Sequence, residues 1–259
     1  MEAKFYFRFC VNILLCCLTG CFTACKKDHS APQSPQQEIE SFVLADNDLQ
    51  IELVASEPLV QDPVAISFDG AGRLWVVEMR GFMPDINGQG EEDPVGRISV
   101  LFDEDGDGQM DKSQIFADSL VLPRAIAIVK GGVLVAENVP LWFMEDSDGD
   151  FIADTKTLID SSYGTRGLVE HSPNGLWRGM DNWLYNVKSG YRYKKIKGEW
   201  VKDKTEFRGQ WGVSHDNAGR LFYNYNWSQL HADLVPPGAL QKNIHHTPTS
   251  GIDHGLTLE

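Results

Sequence analysis

The chain has 259 residues, of which 23 are Lys or Arg and 37 are Asp or Glu, so that its formal net charge is −14. This acidic excess argues against a nucleic-acid-binding protein, because such proteins present a basic face to the phosphates. All five cysteines lie within the first 25 residues. The remainder therefore has no disulfide, thiolate metal site, cysteine nucleophile or covalent haem motif.

Residues 1–25 have the layout of a secretory signal peptide. Lys4 and Arg8 supply a positive region, and the apolar stretch after them is shorter than the roughly 20 residues of a membrane span. Leu18-Thr19-Gly20-Cys21 fits a lipobox, and Cys25, which polar chain follows directly, is a second candidate for acylation. The pattern predicts an exported lipoprotein held at the cell envelope, on its periplasmic or outer-membrane face. An ordinary cleaved signal with incidental cysteines is the alternative.

Residues 26–41 are polar and contain two prolines, which predicts a flexible tether. From residue 42 to residue 259, short runs rich in Val, Ile, Leu and aromatic residues alternate with Gly, Asp, Asn and Pro turns, which is typical of strands. Examples of such runs are Leu74–Val77, Ile98–Leu101, Gly132–Val135 and Leu221–Tyr223.

A weak repeat runs through this β-rich part. Each copy joins a strand, a tight turn and a second strand that contains one of the leucines Leu74, Leu134, Leu184 and Leu221. Repeats of about 40 to 60 residues that are made of strands predict the blades of a β-propeller, with four to five blades present. A β-sandwich with similar hairpins is the alternative. Because residues 236–259 show no obvious closing strand, we expect the propeller to be incomplete, truncated at its C-terminal end.

Two acidic loops share one pattern. Carboxylates occupy loop positions 1, 3, 5 and 9, at Asp103, Asp105, Asp107 and Asp111, and again at Asp146, Asp148, Asp150 and Asp154. This is the oxygen spacing of calcium loops, and carboxylates so close together repel one another without a cation. An EF-hand has an acidic residue at position 12, where this chain has Gln114 and Thr157, so Asp118, Asp160 or water would complete the coordination. Two structural calcium sites are predicted, with solvated acidic turns as the alternative.

Several segments resemble a bacterial family of propellers described as membrane-bound dehydrogenases and often fused to helical repeats and cytochrome c. The segments that carry the resemblance are Ile51–Val60, Asp62-Pro63, Gly72–Trp75, Glu170–Leu176 and Phe207–Gly212. The resemblance covers residues 42 to about 237, although no haem motif or helical repeat is present.

The chain is more distantly similar to glucose and sorbosone dehydrogenases that depend on pyrroloquinoline quinone. The matching features are an acidic residue before a His, a Leu five residues later, and an Asp-x-x-Leu-Tyr turn, at Glu170-His171, Leu176, and Asp181 with Leu184-Tyr185. This resemblance implies that His171 is the general base and that Arg208 contacts the quinone or the developing negative charge, and Gln210 is a further candidate for binding the cofactor. A carboxylate such as Glu170 can orient a histidine base or raise its pKa. The alternatives are a structural turn histidine at position 171 and a blade-to-blade salt bridge at Arg208.

The function that these expectations favour is oxidation of a sugar or related alcohol. A histidine would take the hydroxyl proton while hydride leaves to the cofactor, and a cytochrome c would be a suitable electron acceptor. A non-catalytic, calcium-braced propeller that binds a glycan or a protein is the main alternative. Hydrolysis of a lactone or phosphoester at the calcium sites is the third, and the loops have no obvious nucleophile for it.

Overall fold

The computed structural model describes residues 32–165 and 169–237, together with residues 239, 245, 254 and 255. Within this part of the chain, no helix is long and apolar enough to cross a membrane. The chain divides into two compact units, Met1–Leu53 and Val54–Glu259. The candidate lipidation residues Cys21 and Cys25 lie outside the described residues.

The described part of the first unit contains one helix, α1 (Pro35–Ser41). It begins with a capping box, in which the N–H of Gln37 donates to the Ser34 hydroxyl and the N–H of Ser34 donates to the Gln37 side chain. These two hydrogen bonds satisfy backbone N–H groups that have no acceptor within the helix at its N-terminus. The proline at the first helical position already has the φ of a helix. The segment predicted as a flexible tether is therefore helical at its end, although no residue of α1 is buried.

The described residues of the second unit form four antiparallel sheets that follow one another along the chain. Each sheet is a meander of four consecutive strands. The strands of the first two sheets are β1 (Pro63–Phe68), β2 (Leu74–Glu78), β3 (Gly96–Phe102), β4 (Lys112–Leu120), β5 (Ala125–Val129), β6 (Gly132–Ala136), β7 (Leu141–Glu145) and β8 (Thr155–Asp160). Those of the last two are β9 (Asn174–Arg178), β10 (Leu184–Val187), β11 (Ser189–Ile196), β12 (Glu199–Arg208), β13 (Trp211–His215), β14 (Leu221–Tyr225), β15 (Ser228–Ala232) and β16 (His254–Gly255).

The first strand of each sheet lies innermost. Strands β1, β5, β9 and β13 pack side by side in that order, which is the arrangement of propeller blades around an axis. The predicted β-propeller is thus confirmed with four blades, and the four repeats of the sequence are the first two strands of each blade. A two-sheet sandwich is excluded because the strands form four separate sheets.

The hairpin between the first two strands of a blade is built from the repeated turn residues. In blade 1 the carboxylate of Asp69 accepts a hydrogen bond from the N–H of Arg73 at 3.1 Å, and Gly72 has a φ of 83°. Asp216 and Gly219 repeat this geometry in blade 4, where the φ of the glycine is 80°. Glycine adopts such a positive φ without the steric cost that other residues meet. The turn therefore fixes where the following leucine enters the second strand.

Apolar side chains from facing sheets hold neighbouring blades together. Strand β6 shows this directly, because Val133 and Val135 pack with residues of blade 1, whereas Leu134 and Ala136 pack with residues of blade 3. None of the four is more than 3 % exposed. A strand buried on both faces reads as a continuous apolar run, which is how this segment appears in the sequence.

We expect Ile98→Ala to lower the free energy of unfolding by about 2–5 kcal/mol, the usual cost of truncating a buried aliphatic side chain. Ile98 has no exposed surface and belongs to the cluster that joins blades 1 and 2. The measurement is denaturant unfolding, with Ile196→Ala as the matched control. Ile196 is 42 % exposed at the end of β11, so its substitution should cost less than about 1 kcal/mol. Equal losses in the two variants would contradict the packing described here.

Candidate functional site

A cavity of about 640 Å³ lies where the four inner strands meet. Its wall takes one residue from each blade at the same repeat position, ten residues before the shared leucine. These four residues are Val64, Arg124, Asn174 and Trp211. The repeats thus differ in chemistry at the axis, where one aliphatic, one cationic, one amide and one aromatic side chain face a common space.

The residue that follows this position is small in every blade. Ala65, Ala125, Gly175 and Gly212 all line the cavity. Their small size leaves the axial space open, and its volume lies within the roughly 300–1,000 Å³ of small-molecule sites. Most of the remaining wall is apolar, and it contains Ile66, Met79, Phe82, Met83, Ile126 and Val169.

Arg124 is the cationic residue of this wall, and it is only 6 % exposed. One terminal nitrogen donates to the carbonyl of Val169 and the other to the side-chain oxygen of Asn138, both at 2.8 Å. Among the described residues, its buried Nε has no hydrogen-bond partner. Burial lowers the pKa of Arg124 to about 10, so the guanidinium is charged at neutral pH.

Arg124 and Trp211 are absent from the residues predicted from the sequence. The signal that identifies them is the alignment of the four repeats on their leucines. It places a charged residue in blade 2, directly before an apolar strand, where blade 1 has Val64. A charge at a position that faces the axis is unusual enough to indicate a site.

Two of the predicted site residues, His171 and Gln210, meet beside the cavity. Nε2 of Gln210 lies 3.4 Å from Nδ1 of His171. His171 ends a short 3-10 helix (Val169–His171), and its side chain is exposed, whereas Gln210 is buried. The side-chain amide of Asn174 donates to the carbonyl of Gln210 at 3.0 Å and so fixes the loop before β13. His171 itself is not part of the cavity wall, but its neighbours Val169 and Glu170 are.

Among the side chains that the structure describes, no hydrogen bond or ion pair joins Glu170 to His171. Glu170 is exposed and is one of the residues that line the cavity. The group that contacts the imidazole is the amide of Gln210.

Arg208, which was expected to contact a quinone, is instead a blade-to-blade ion-pair residue. It has no exposed surface. Its Nε and Nη2 donate to the carboxylate of Asp233 at 2.9 and 2.7 Å, and Nη2 also donates to the carboxylate of Glu206 at 3.1 Å. Nη1 donates to the hydroxyl of Thr205 and to the carbonyl of Glu206, both at 2.9 Å. These bonds use all five N–H groups of the guanidinium, so none is left for a ligand.

This ion pair joins blade 3 to blade 4, because Arg208 ends β12 and Asp233 follows β15. Burial raises the pKa of Asp233 above its ordinary value, although Arg208 acts in the opposite direction. Burial also disfavours the charged form of Arg208, but Asp233 and Glu206 more than offset this and raise its pKa. A blade-to-blade salt bridge at Arg208 is the alternative that the sequence analysis left open, but the spacing did not identify the partner, which stands 25 residues away.

Three of the four predicted carboxylates come together in each acidic loop. Oxygens of Asp103, Asp105 and Asp111 lie within 4.8 Å of one another, and so do those of Asp146, Asp148 and Asp154. Asp107 and Asp150 do not belong to these groups. Each accepts a hydrogen bond at 2.8 Å from the backbone N–H two residues further on, at Gln109 and Ile152.

The two loops fold in the same way. The first aspartate of each accepts N–H groups from inside its loop, as Asp103 does from Gly106 at 2.7 Å and Asp146 from Gly149 at 2.7 Å. Hydrogen bonds from the hydroxyl and N–H of Ser147 hold the pKa of Asp154 below its ordinary value. The residues predicted to complete the coordination, Asp118 and Asp160, have other partners. Asp160 binds Lys202 and Tyr193. Asp118 pairs with Arg97 at 3.3 Å.

We expect Arg208→Met to lower the free energy of unfolding by about 3–5 kcal/mol, because it leaves two buried carboxylates without their cation. Arg220→Met is the matched control, since Arg220 is exposed in the β13–β14 hairpin. Its substitution should change stability by no more than about 0.5 kcal/mol. Denaturant unfolding of both variants measures the difference, and a stable Arg208 variant would show that the guanidinium does not bind the two blades together.

No curated protein matches this chain. Among solved structures, it is similar to the holo form of the pyranose dehydrogenase PQQ domain from Coprinopsis cinerea, at 11 % sequence identity and a TM-score of 0.40. That similarity covers 63 % of this chain and 43 % of that one, so the chain spans less than half of that domain. A similarity of this size says nothing about activity. The model of the family described as "Domain of unknown function (DUF7133)" matches residues 34–257, and the chain therefore belongs to the DUF7133 family.

Proposed function

We propose that the chain is a propeller oxidoreductase that binds a small molecule in its axial cavity. Its reaction is the oxidation of a sugar or related alcohol with bound pyrroloquinoline quinone. The observation that carries the proposal is the contact of His171 with Gln210 beside an apolar cavity whose wall includes Val169 and Glu170, the two residues before the histidine. A histidine at the edge of a concave apolar site is a suitable general base near neutral pH.

The orientation of the Gln210 amide determines whether Nε2 of His171 can act as the base. If its amide oxygen faces the ring, it accepts the proton of Nδ1 and leaves the lone pair of Nε2 free for a substrate hydroxyl. If its NH₂ group faces the ring, Nδ1 accepts and Nε2 carries the proton. The amide is buried and its loop is held by Asn174, so the imidazole has a fixed partner in either tautomer.

The cavity has the size and the apolar walls that a planar ring system requires. The bound quinone would supply the hydride acceptor. Gln210 would act on the reaction through its contact with His171, whereas Arg208 has no N–H left to offer a bound quinone. Glu170, on the wall, would meet the solvent side of a ligand.

A non-catalytic glycan-binding propeller is the second candidate. Its support is an exposed aromatic pair on blade 4, in which Trp227 is 69 % exposed and stacks on Tyr225 with ring centroids 5.1 Å apart. Exposed aromatic rings of this kind suit the apolar faces of sugars.

The proposal also includes calcium in the two acidic loops, a lipid anchor at Cys21 or Cys25 and an extracytoplasmic location. The three carboxylates gathered in each loop support the first of these. The lipobox and the cysteine-free remainder of the chain support the other two. A cytochrome c as electron acceptor is consistent with that location.

We expect the full chain in detergent to bind pyrroloquinoline quinone and to reduce a dye with some aldose or alcohol. His171→Ala should keep the quinone affinity and lose about 100-fold or more of the turnover, which is the usual contribution of a general base. Calorimetric titration measures the affinity, and dye reduction measures the turnover.

His215→Ala is the matched control. This histidine lies at the end of β13, and its Nδ1 is 2.9 Å from the carbonyl of Asp216. The control should keep both affinity and turnover. A folded wild-type protein that does not bind the quinone would remove the oxidoreductase proposal and leave the binding propeller.

We expect millimolar calcium to raise the midpoint of thermal unfolding, since an ion that binds only the folded state stabilises it. Each kcal/mol of stabilisation corresponds to roughly 2–4 °C for a domain of this size. The double variant Asp103→Asn with Asp146→Asn should lose the calcium-dependent increase, because it removes the first carboxylate from each group.

Asp85→Asn serves as the control for this experiment, because Asp85 also accepts N–H groups in an acidic loop but belongs to neither carboxylate group. It should retain the full response to calcium. An unfolding midpoint of the wild-type protein that is the same in calcium and in chelator would show that the loops are solvated acidic turns.

A further inference from the structure

We infer that the axial cavity is a binding site for a carboxylate, in which Arg124 holds the charged group and the apolar wall holds the rest of the ligand. The inference concerns the charge that the cavity selects, and it does not rest on the quinone proposal.

Arg124 places a positive charge at the wall of the axial cavity. Among the residues that the structure describes, no carboxylate lies within ion-pair distance of its guanidinium. Its hydrogen bonds go to a carbonyl and to an amide oxygen, both of which are neutral. The nearest link to an anion is indirect, because the amide of Asn138 donates to Glu92 at 3.2 Å. The guanidinium is therefore a buried cation without a direct counter-ion.

Arg124 has hydrogen-bond donors to spare. Among the described residues, three of its five N–H groups have no acceptor, namely that of the buried Nε and one on each terminal nitrogen. Arg124 is also one of the residues that line the cavity. Leaving a buried donor unpaired is unfavourable, more so for a charged group. A carboxylate in the cavity would supply the missing negative charge, and each terminal nitrogen of Arg124 would have a second N–H group left to donate to it.

The rest of the cavity wall is mostly apolar. Val64 and Trp211 stand at the positions equivalent to Arg124 in blades 1 and 4, and Ile66 and Ile126 lie beside them. These side chains suit an apolar or aromatic body. A small organic acid with an apolar ring thus matches both parts of the cavity, whereas inorganic phosphate would leave the apolar part unfilled.

Glu170 is the anionic residue of the same wall. It is exposed and makes no ion pair with Arg124 among the described side chains. Its charge would oppose a bound carboxylate, so the two residues should affect affinity in opposite directions. This opposition supplies a matched pair of variants.

The test compares 1-naphthoate with its neutral analogue 1-naphthalenemethanol, titrated into the full chain by calorimetry. We expect the naphthoate to bind at least about tenfold more tightly, as one charge-assisted hydrogen bond requires. Arg124→Gln should abolish that preference, Arg124→Lys should retain part of it, and Glu170→Gln should strengthen naphthoate binding. Arg178→Gln, which changes an exposed arginine outside this cavity, should leave the affinities unchanged.

The comparison of the two ligands on the wild-type protein decides the matter even if Arg124→Gln does not fold. Equal affinities, or no binding of either compound, would overturn the inference. An unchanged naphthoate preference in a folded Arg124→Gln protein would also overturn it. Because neither compound is a quinone or an aldose, the result is separate from the outcome of the quinone titration. Displacement of naphthoate by pyrroloquinoline quinone would assign the carboxylate to the cofactor, and simultaneous binding would assign it to a separate acid.

Discussion

This propeller depends on one constraint, which is that the sheet of a blade lying between two other blades is buried on both faces. In β6, consecutive side chains pack with opposite neighbouring blades, and none of them reaches solvent. A sheet held in this way cannot rotate or slip without exposing apolar surface on one side. The inner strands are therefore fixed next to one another, and so are the residues that begin them. The axial cavity follows from this, because its wall is the row of residues with which the four inner strands begin.

The repeat pattern was sufficient to predict the blades, and local chemistry explains why. An aspartate that accepts N–H groups of its own turn, followed by a glycine of positive φ, makes a hairpin from within a few residues of sequence. Helix α1 was missed although Ser34 and Gln37 carry a capping-box signal, since the polar composition around it favoured a tether. The pairing of Arg208 with Asp233 depends on the packing of two blades, and no local spacing encodes it.

In the two acidic loops, the spacing of the aspartates in the sequence predicted part of the arrangement that the structure shows. Alternating aspartates at positions 1, 3 and 9 converge in both loops because each loop closes on itself through N–H bonds to its first and last carboxylates. The aspartate at position 5 accepts an N–H group further along the loop instead. Three of the four carboxylates in the pattern therefore converge in each loop, and the fourth does not.

Two arginines, Arg208 and Arg124, are buried but have opposite electrostatic surroundings. Arg208 has two carboxylates and uses every N–H group, so its charge is neutralised by the fold itself. Arg124 is almost as deeply buried, yet among the described residues its two acceptors are neutral and three of its five N–H groups have no acceptor. Removing a cation from water is costly when no anion accompanies it, and blade 1 has a valine at the equivalent repeat position. Of these two arginines, the one without a carboxylate partner among the described residues is thus the one that lines the cavity, where the proposed carboxylate ligand would pair with it.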